Sequence, residues 1–405
     1  MELQGASGFS QFDITIIGGG VIGLSIGNAI LEDNPTLQVA IVEKEKTLGQ
    51  HASGRNSGVM HAGFYYSPDS LKARFCRDGN FELRKLCRLH NIPVLETGKV
   101  VVTQNLEEEL QLDTLFKRGI QNGVELEILD GNELNQFEPL AKTLHRFVWS
   151  PNTAVSDSHL VLSAMAKEFT DKGGTIKLGT SVQLIEHQGE IVISNKEVQA
   201  KYYVNASGAQ SDRISRNVGV GLDYAMLPFM GVYRATTNDA LPLRTLVYPV
   251  PHPINPFLGV HFTLTTNGKV KIGPTAIPIT GREQYSFSSG WSLDDIYQAT
   301  KAAKALVLGK SHKVSKMIAS EWPKIIEREI VNQASHLVPR ASEVRKWEKN
   351  PPGIRSQLVH LPTGKLEQDF KIETKFNSLH ILNAVSPGWT SSIPFARYAA
   401  SFIPR

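Results

Sequence analysis

Only two cysteines, Cys76 and Cys87, occur in 405 residues. Two cannot build a disulfide framework and their spacing does not suit a zinc site, so both read as free thiols in a reducing compartment. No stretch of about 18 apolar residues is present, so nothing reads as a membrane-spanning helix. Met1 to Gln11 lacks the charged-then-apolar order of a secretion signal. The expected location is therefore the cytoplasm, with peripheral contact at the inner face of a membrane as the second option. Basic and acidic side chains nearly balance, 43 against 39, and no dense basic stripe occurs, so nucleic acid is not an expected partner. The slight basic surplus suits a small anionic substrate. Paired Cys/His metal spacings, a Gly-x-Ser-x-Gly elbow and a Walker loop are missing, so no metal ion, serine nucleophile or P-loop is expected.

What is present is globular material, 41% hydrophobic and 20% charged, close to the average for soluble proteins. One core rarely grows beyond about 250–300 residues, so two lobes are expected. The run from Asp13 to Ile17 is short, β-branched and apolar, as a buried parallel strand is. Gly18-Gly19-Gly20-Val21-Ile22-Gly23 follows, then a helical stretch from Leu24 to Leu31, then a second apolar run from Val39 to Val42 closed by Glu43. In Gly18-x-Gly20-x-x-Gly23 the first glycine makes the turn, the second admits a pyrophosphate and the third packs helix on strand. The helix start offers N–H groups to phosphate, and Glu43 stands where the acid for a ribose hydroxyl belongs. Glycines serving only a compact turn would leave the position of Glu43 unexplained.

Further along, 49–67 is rich in Gly, Ser, His and Asn and reads as an ordered functional loop with a helical segment. Helices are expected from Leu71 to His90, with Leu71, Phe75, Phe81, Leu83 and Leu86 inward, from Leu106 to Asn122, from Leu160 to Lys172, from Leu293 to Leu308 and over 311–330. Glu107, Glu108 and Glu109 read as a solvated helix face. His51 and His90 read as solvent or packing residues. Strands are expected at 175–178, 182–186, 191–194, 202–206, 259–264, 270–272 and 379–383. The fold class is α/β with an α+β catalytic lobe: a Rossmann-like nucleotide domain (11–90, 150–220 and 335–405) interleaved with a mixed-sheet substrate domain (91–149 and 221–334).

The glycine loop, the segment from Ser53 through Arg55-Asn56-Ser57 and His61 to Tyr65-Tyr66, and the run from Ser70 to Cys76 together resemble the L-2-hydroxyglutarate dehydrogenase/oxidase family, within the D-amino-acid-oxidase-like FAD enzymes. The resemblance continues through Phe257 to Phe262, Gly273-Pro274, Gly353-Ile354-Arg355 and Asn383 to Ser392, nearly the whole chain. Gly54, Ser356 and Phe395-Ala396-Arg397 depart from it, standing where the family pattern implies Glu, Ala and small residues.

The resemblance implies FAD and hydride transfer from an L-2-hydroxy acid, L-2-hydroxyglutarate above all. Such chemistry needs a cation for the carboxylate, a base for the hydroxyl proton and a flavin for the hydride. Arg355, with its planar fork, is the candidate for the carboxylate and also for flavin contact. His61 and His261 are the candidate bases, and His61 is also a candidate for contact with, or covalent attachment to, the flavin. Tyr65, Tyr66 and Tyr233 are candidate substrate contacts. The expected FAD residues are Gly18, Gly20, Val21, Ile22, Gly23, Glu43, Lys44, Arg55, Asn56, Ser57, Val182, Ser207, Gly208, Gly388, Thr390, Ser391 and Ser392. The last three also read as a simple Ser/Thr helix start. Two alternatives stay open: an amine or amino-acid oxidase of the same fold, and a flavin-bearing assembly subunit without its own turnover. The electron acceptor (oxygen, a quinone or a carrier protein) is not legible.

Overall fold

The computed structural model describes residues 11–251, 258–286, 288–309 and 321–404. Among them no helix is long and apolar enough to cross a membrane.

Two sheets organise the chain. The first runs in the order Lys371–Lys375, Ser378–Asn383, Ala200–Asn205, Phe12–Ile17, Val39–Val42 and Thr175–Lys177. Its pairings are parallel except for the hairpin of the first two strands. Parallel strands need both faces covered, which explains why Val39–Val42 is apolar at every position. One face packs Ile14, Ile16 and Ile41 against the helices Val21–Asp33 and Ser158–Asp171, with Ser392–Ala400 beside them. The other packs Ile17 and Val42 against Val182, Leu184, Ile191 and Ile214.

The second sheet runs Lys365–Leu366, Glu348–His360, Tyr224–Thr237, Lys269–Gly273, His261–Leu264, Leu246–Pro249, Lys99–Val102, Arg146–Ser150 and Glu127–Asp130, with Ile277–Pro278 paired to Tyr224–Thr237. It is mixed: Leu246–Pro249 runs parallel to Lys99–Val102, and the sheet's other pairings among the described residues are antiparallel. An α/β nucleotide-type sheet interleaved with a mixed sheet is the architecture expected from the sequence.

The expected division put 335–405 with the nucleotide lobe, but the long strand Glu348–His360 lies in the second sheet. Its Pro351-Pro352 pair disguises it. The prolines fall where two residues face one, between Gly231↔Gly353 and Tyr233↔Asn350, and a bulge tolerates missing N–H groups.

Residues 49–67 contain turns and the two-residue strand Val59–Met60, with no helical segment. Phe81 is exposed, not inward. Glu109 is buried, not solvated: it accepts hydrogen bonds from the N–H groups of His145 and Arg146 and from the Arg146 guanidinium. The helix Leu293–Leu308 begins and ends as expected. The helical expectation over 311–330 lies partly outside the described residues, as does Phe257. Within its described part come a short 3-10 turn, Trp322–Ile325, and the start of the helix Glu327–Leu337.

Candidate functional site

A cavity of about 520 Å³ runs between the two sheets, within the size range of small-molecule and cofactor sites. One end is the glycine turn. Gly18 has φ +111°, and a Cβ there would meet the Ala206 carbonyl at 2.5 Å. Gly20 leads directly into the helix Val21–Asp33. A Cβ on Gly23 would lie 2.0 Å from the Gly18 carbonyl, so this glycine serves helix–strand packing and does not line the cavity. The Gly19 N–H donates to Glu43 Oε2 at 2.9 Å, and the Glu45 N–H donates to Glu43 Oε1 at 3.0 Å. Glu43 is thereby fixed at the end of its strand with lone pairs left for a diol. The Ser53 hydroxyl, absent from the expected set, accepts from the Val21 N–H at 2.9 Å.

Of the expected cofactor residues, Gly18, Gly20, Val21, Ile22, Glu43, Lys44, Arg55, Asn56, Ser57, Val182, Ser207, Gly208, Arg355, Gly388 and Thr390 line the cavity. Ser391 and Ser392 do not; their hydroxyls are buried with no hydrogen-bond partner among the described residues, at the start of the helix Ser392–Ala400. Two of the departures are absorbed by packing: Phe395 stacks on Phe370 at 4.3 Å, and Arg397 pairs with Glu82. Gly54 is required sterically, since a Cβ there would meet the Gly49 carbonyl at 2.1 Å. Ser356 lines the cavity.

His51 is a correction, since it lines the cavity. Its Nδ1 lies 2.8 Å from the Tyr285 hydroxyl and its Nε2 lies 3.0 Å from Glu45. Glu45, His51 and Glu283 converge closely enough to suggest an ion site, but the Lys44 ammonium contacts all three. His90, as expected, packs at the surface against Glu168.

At the other end the second sheet forms the wall. Its register places Gly273 opposite His261 and Val101 opposite Tyr248, and pairs Val247 with Phe262, which sets Tyr248 beside His261. Tyr248, His261, Gly273 and Val101 share one face, and Tyr233, Tyr248 and His261 line the cavity. The Tyr248 and His261 rings stack at 3.9 Å, and His261 Nδ1 sits 2.7 Å from the Gly259 carbonyl. A carbonyl only accepts, so Nδ1 carries the proton and Nε2 keeps the basic lone pair. Burial, joined by the positive charges of Arg355 and Lys99, holds His261 down to about 3. His61 is likewise held well below the ordinary imidazole value, by burial first and then by Lys99, His261 and Arg355. Its backbone N–H donates to the Thr390 hydroxyl at 3.2 Å, which ties the His61 loop to the turn before the last helix.

Arg355 hydrogen-bonds with the Tyr233 hydroxyl. Burial raises Tyr233, and Arg355 partly offsets the rise. Tyr65 and Tyr66 do not line the cavity; Tyr66 hydrogen-bonds with Ser386 behind it. The structure therefore brings His61, His261, Arg355 and Tyr233 together and leaves Tyr65 and Tyr66 one layer back. Tyr248 was missed because an isolated tyrosine in an apolar strand gives no local sign of a site.

The sequence pattern of the family described as FAD dependent oxidoreductase matches residues 13–402. The L-2-hydroxyglutarate dehydrogenase of Escherichia coli (strain K12) is 33% identical over 406 residues, covering 96% of this chain and 93% of that protein. The mitochondrial L-2-hydroxyglutarate dehydrogenase of Caenorhabditis briggsae is 34% identical over 414 residues, covering 96% and 93%. Among solved structures, the L-alpha-glycerophosphate oxidase of Mycoplasma pneumoniae, with FAD bound, superposes with a TM-score of 0.73 at 22% identity, covering 97% of this chain and 94% of that one. The glycine oxidase of Geobacillus kaustophilus superposes with a TM-score of 0.71 at 20% identity, covering 97% and 95%.

Proposed function

The chain belongs to the FAD dependent oxidoreductase family, in the company of the L-2-hydroxyglutarate dehydrogenases, and from that premise we propose that it oxidises L-2-hydroxyglutarate to 2-oxoglutarate. The observation that carries the reading is the meeting of Arg355 with two neutral histidines, His61 and His261, at one end of a cavity whose other end is a dinucleotide turn.

The residues present fit FAD. Gly18 and Gly20 allow close backbone approach, and Glu43 offers a fixed carboxylate. The cavity extends continuously from the glycine turn to the histidines. Gly18 to Ile22, Glu43, Val182, Ser207 and Gly208 would hold the adenosine and pyrophosphate portion, and His61, Gly388 and Thr390 the flavin portion. When bound, FAD supplies the hydride acceptor of the reaction.

Arg355, steadied by Tyr233, binds the C1 carboxylate through its planar fork. His261 Nε2 takes the hydroxyl proton as the C2 hydrogen leaves with its electron pair, which balances alcohol to ketone. A base held near 3 is weak by itself. Binding an anion at Arg355 cancels part of the positive field that depresses it, so substrate itself raises the base toward its task. His61 orients the reacting carbon from the opposite loop.

Names of the relatives as dehydrogenases support a quinone or carrier protein over oxygen as the electron acceptor. The exposed Leu293, Tyr297 and Leu308 on one side of their helix support peripheral contact with the inner face of a membrane, where a quinone resides. The test is product formation with a dye acceptor. Stoichiometric 2-oxoglutarate from the L enantiomer, and none from the D enantiomer, is expected. Ammonia release from amino acids with no response to hydroxy acids would move the chain to the amine-oxidising alternative. Activity appearing only on addition of a partner chain would favour the assembly-subunit alternative.

A further inference from the structure

Lys99 is a charged group that the chemistry above leaves unused. It opens the strand Lys99–Val102 and is fully buried. Its Nζ has no hydrogen-bond partner among the described residues. Three rings enclose it: Phe64, Tyr65 and Tyr248, with centroids at 4.3, 4.5 and 4.8 Å. Ring faces attract a cation but do not replace the hydration or counter-ion it has lost.

Lys99 and Val101 point to the same face of the sheet, and Val101 pairs with Tyr248, whose side chain lines the cavity. Lys99 thus stands directly behind the substrate wall. The Tyr65 hydroxyl and His61 Nδ1 are also buried with no partner among the described residues. Three unmatched polar groups gather at the end where substrate would bind.

A 2-hydroxy dicarboxylate brings two negative charges, and Arg355 answers one. The other cations along the cavity are already matched. Lys44 pairs with Glu45 and Glu283, Arg213 with Asp294 and Asp295, and Arg282 with Asp212 and Asp295. Arg55 donates to the carbonyls of Gln50 and Pro352 and lies over the Tyr285 ring. We propose that Lys99 is the specificity-determining cation for the second carboxylate, making the site prefer a 2-hydroxy dicarboxylate over a 2-hydroxy monocarboxylate of equal length. Lys99 and Tyr65 both lie one layer behind the cavity lining, with the Tyr65 ring against the ammonium, so the charge acts on the carboxylate from behind the Tyr248 wall. The inference rests on the 2-hydroxy-acid reading above.

The groups facing Lys99 are Cys76 from the helix Leu71–Leu89, His61 and Tyr65 from the loop before it, and Tyr248 and His261 from the sheet, with Arg355 acting on the two histidines beyond them. Burial brings Lys99 down to about 7 and pushes the Cys76 thiol up, so neither a thiolate nor, among the described residues, a carboxylate pins the ammonium. Its charge is then lost as pH rises past neutrality unless an anion holds it.

The experiment compares L-2-hydroxyglutarate with L-2-hydroxyvalerate, its five-carbon monocarboxylate analogue, on FAD-loaded wild type and Lys99→Met. The ratio of kcat/KM for the dicarboxylate over the monocarboxylate is expected to fall about tenfold or more in the variant. An equal loss for both substrates overturns the proposal. Should the variant fail to fold, wild type alone decides. From about pH 6 to 9, the dicarboxylate KM should rise relative to the monocarboxylate KM, and a flat ratio overturns the proposal. Wild type that turns over neither substrate instead removes the 2-hydroxy-acid reading, and this inference with it.

Discussion

The Tyr248 ring stacks on His261 at 3.9 Å, while His261 Nδ1 is held 2.7 Å from the Gly259 carbonyl. Both contacts orient Nε2, and that orientation supports the proposal of His261 over His61 as the base. His261→Asn should lower kcat by about 10²- to 10⁴-fold with little change in bound FAD. His61→Asn should cost less in kcat and alter the flavin absorbance instead. A larger kcat loss in His61→Asn than in His261→Asn would exchange the two roles.

Arg355 is joined to Tyr233 at the end of the cavity proposed for substrate. Removing the guanidinium leaves the carboxylate unpaired in a buried site, a cost of about 2–5 kcal/mol. Arg355→Met should therefore lower kcat/KM by about 30- to 4,000-fold. Arg355→Lys should recover part of this, since it restores charge without the fork. Steady-state kinetics on the three proteins checks the order; a lysine variant equal to wild type would show that bidentate geometry is not used.

At the nucleotide end the prediction concerns retention of FAD. Gly23→Ala forces a Cβ to 2.0 Å from the Gly18 carbonyl, so helix and strand must separate and the glycine turn with them. The protein should be purified with markedly less flavin and a lower Tm. Glu43→Gln keeps an acceptor for the Gly19 N–H but loses the charge and the oxygen that accepts from the Glu45 N–H, so it should weaken FAD binding by roughly tenfold with a smaller fall in Tm than Gly23→Ala. Flavin-to-protein absorbance ratios after dialysis, together with thermal melts, distinguish the two outcomes.

The strand–turn–helix–strand start was legible because local chemistry alone dictates it: an apolar β-branched run, glycines where backbone must approach backbone, and an acid at the next strand's end. The helix Leu293–Leu308 was legible because Ser292 caps it, with its hydroxyl accepting from the Asp295 N–H, and Gly309 ends it. The strand Glu348–His360 was not assigned to its sheet, because Pro351-Pro352 contradicts strand propensity and only pairing with the bulged Tyr224–Thr237 strand compensates. Lys99 and Tyr248 carry no local signature either. What distinguishes them is the register that sets four strands side by side, which is a long-range property. Glu109 looked like one of three solvated acids, yet helix rotation turns it alone onto Arg146 and the His145 N–H.

Stability should also fall in mild acid. His380 is buried in the strand Ser378–Asn383 between Asn205 and Ser378, and burial holds it down to about 4 from an ordinary 6.5. Between those values the unfolded chain binds a proton that the folded protein refuses, so stability is complete above about pH 6.5 and declines toward pH 4. By pH 5 His380 alone accounts for about 2 kcal/mol. Urea midpoints at pH 7.5 and 5 should show the fall, with a shallower one in His380→Gln. A pH-independent midpoint would contradict the burial of a neutral imidazole here.

The central claim is that one cavity holds FAD and presents an L-2-hydroxy acid to it. Its most direct test is an anaerobic titration of the purified protein, following the flavin band near about 450 nm. L-2-hydroxyglutarate should bleach the band in a saturable way and the D enantiomer should leave it unchanged. A band that stays yellow with every 2-hydroxy acid, yet bleaches with glycine or a D-amino acid, would contradict the account.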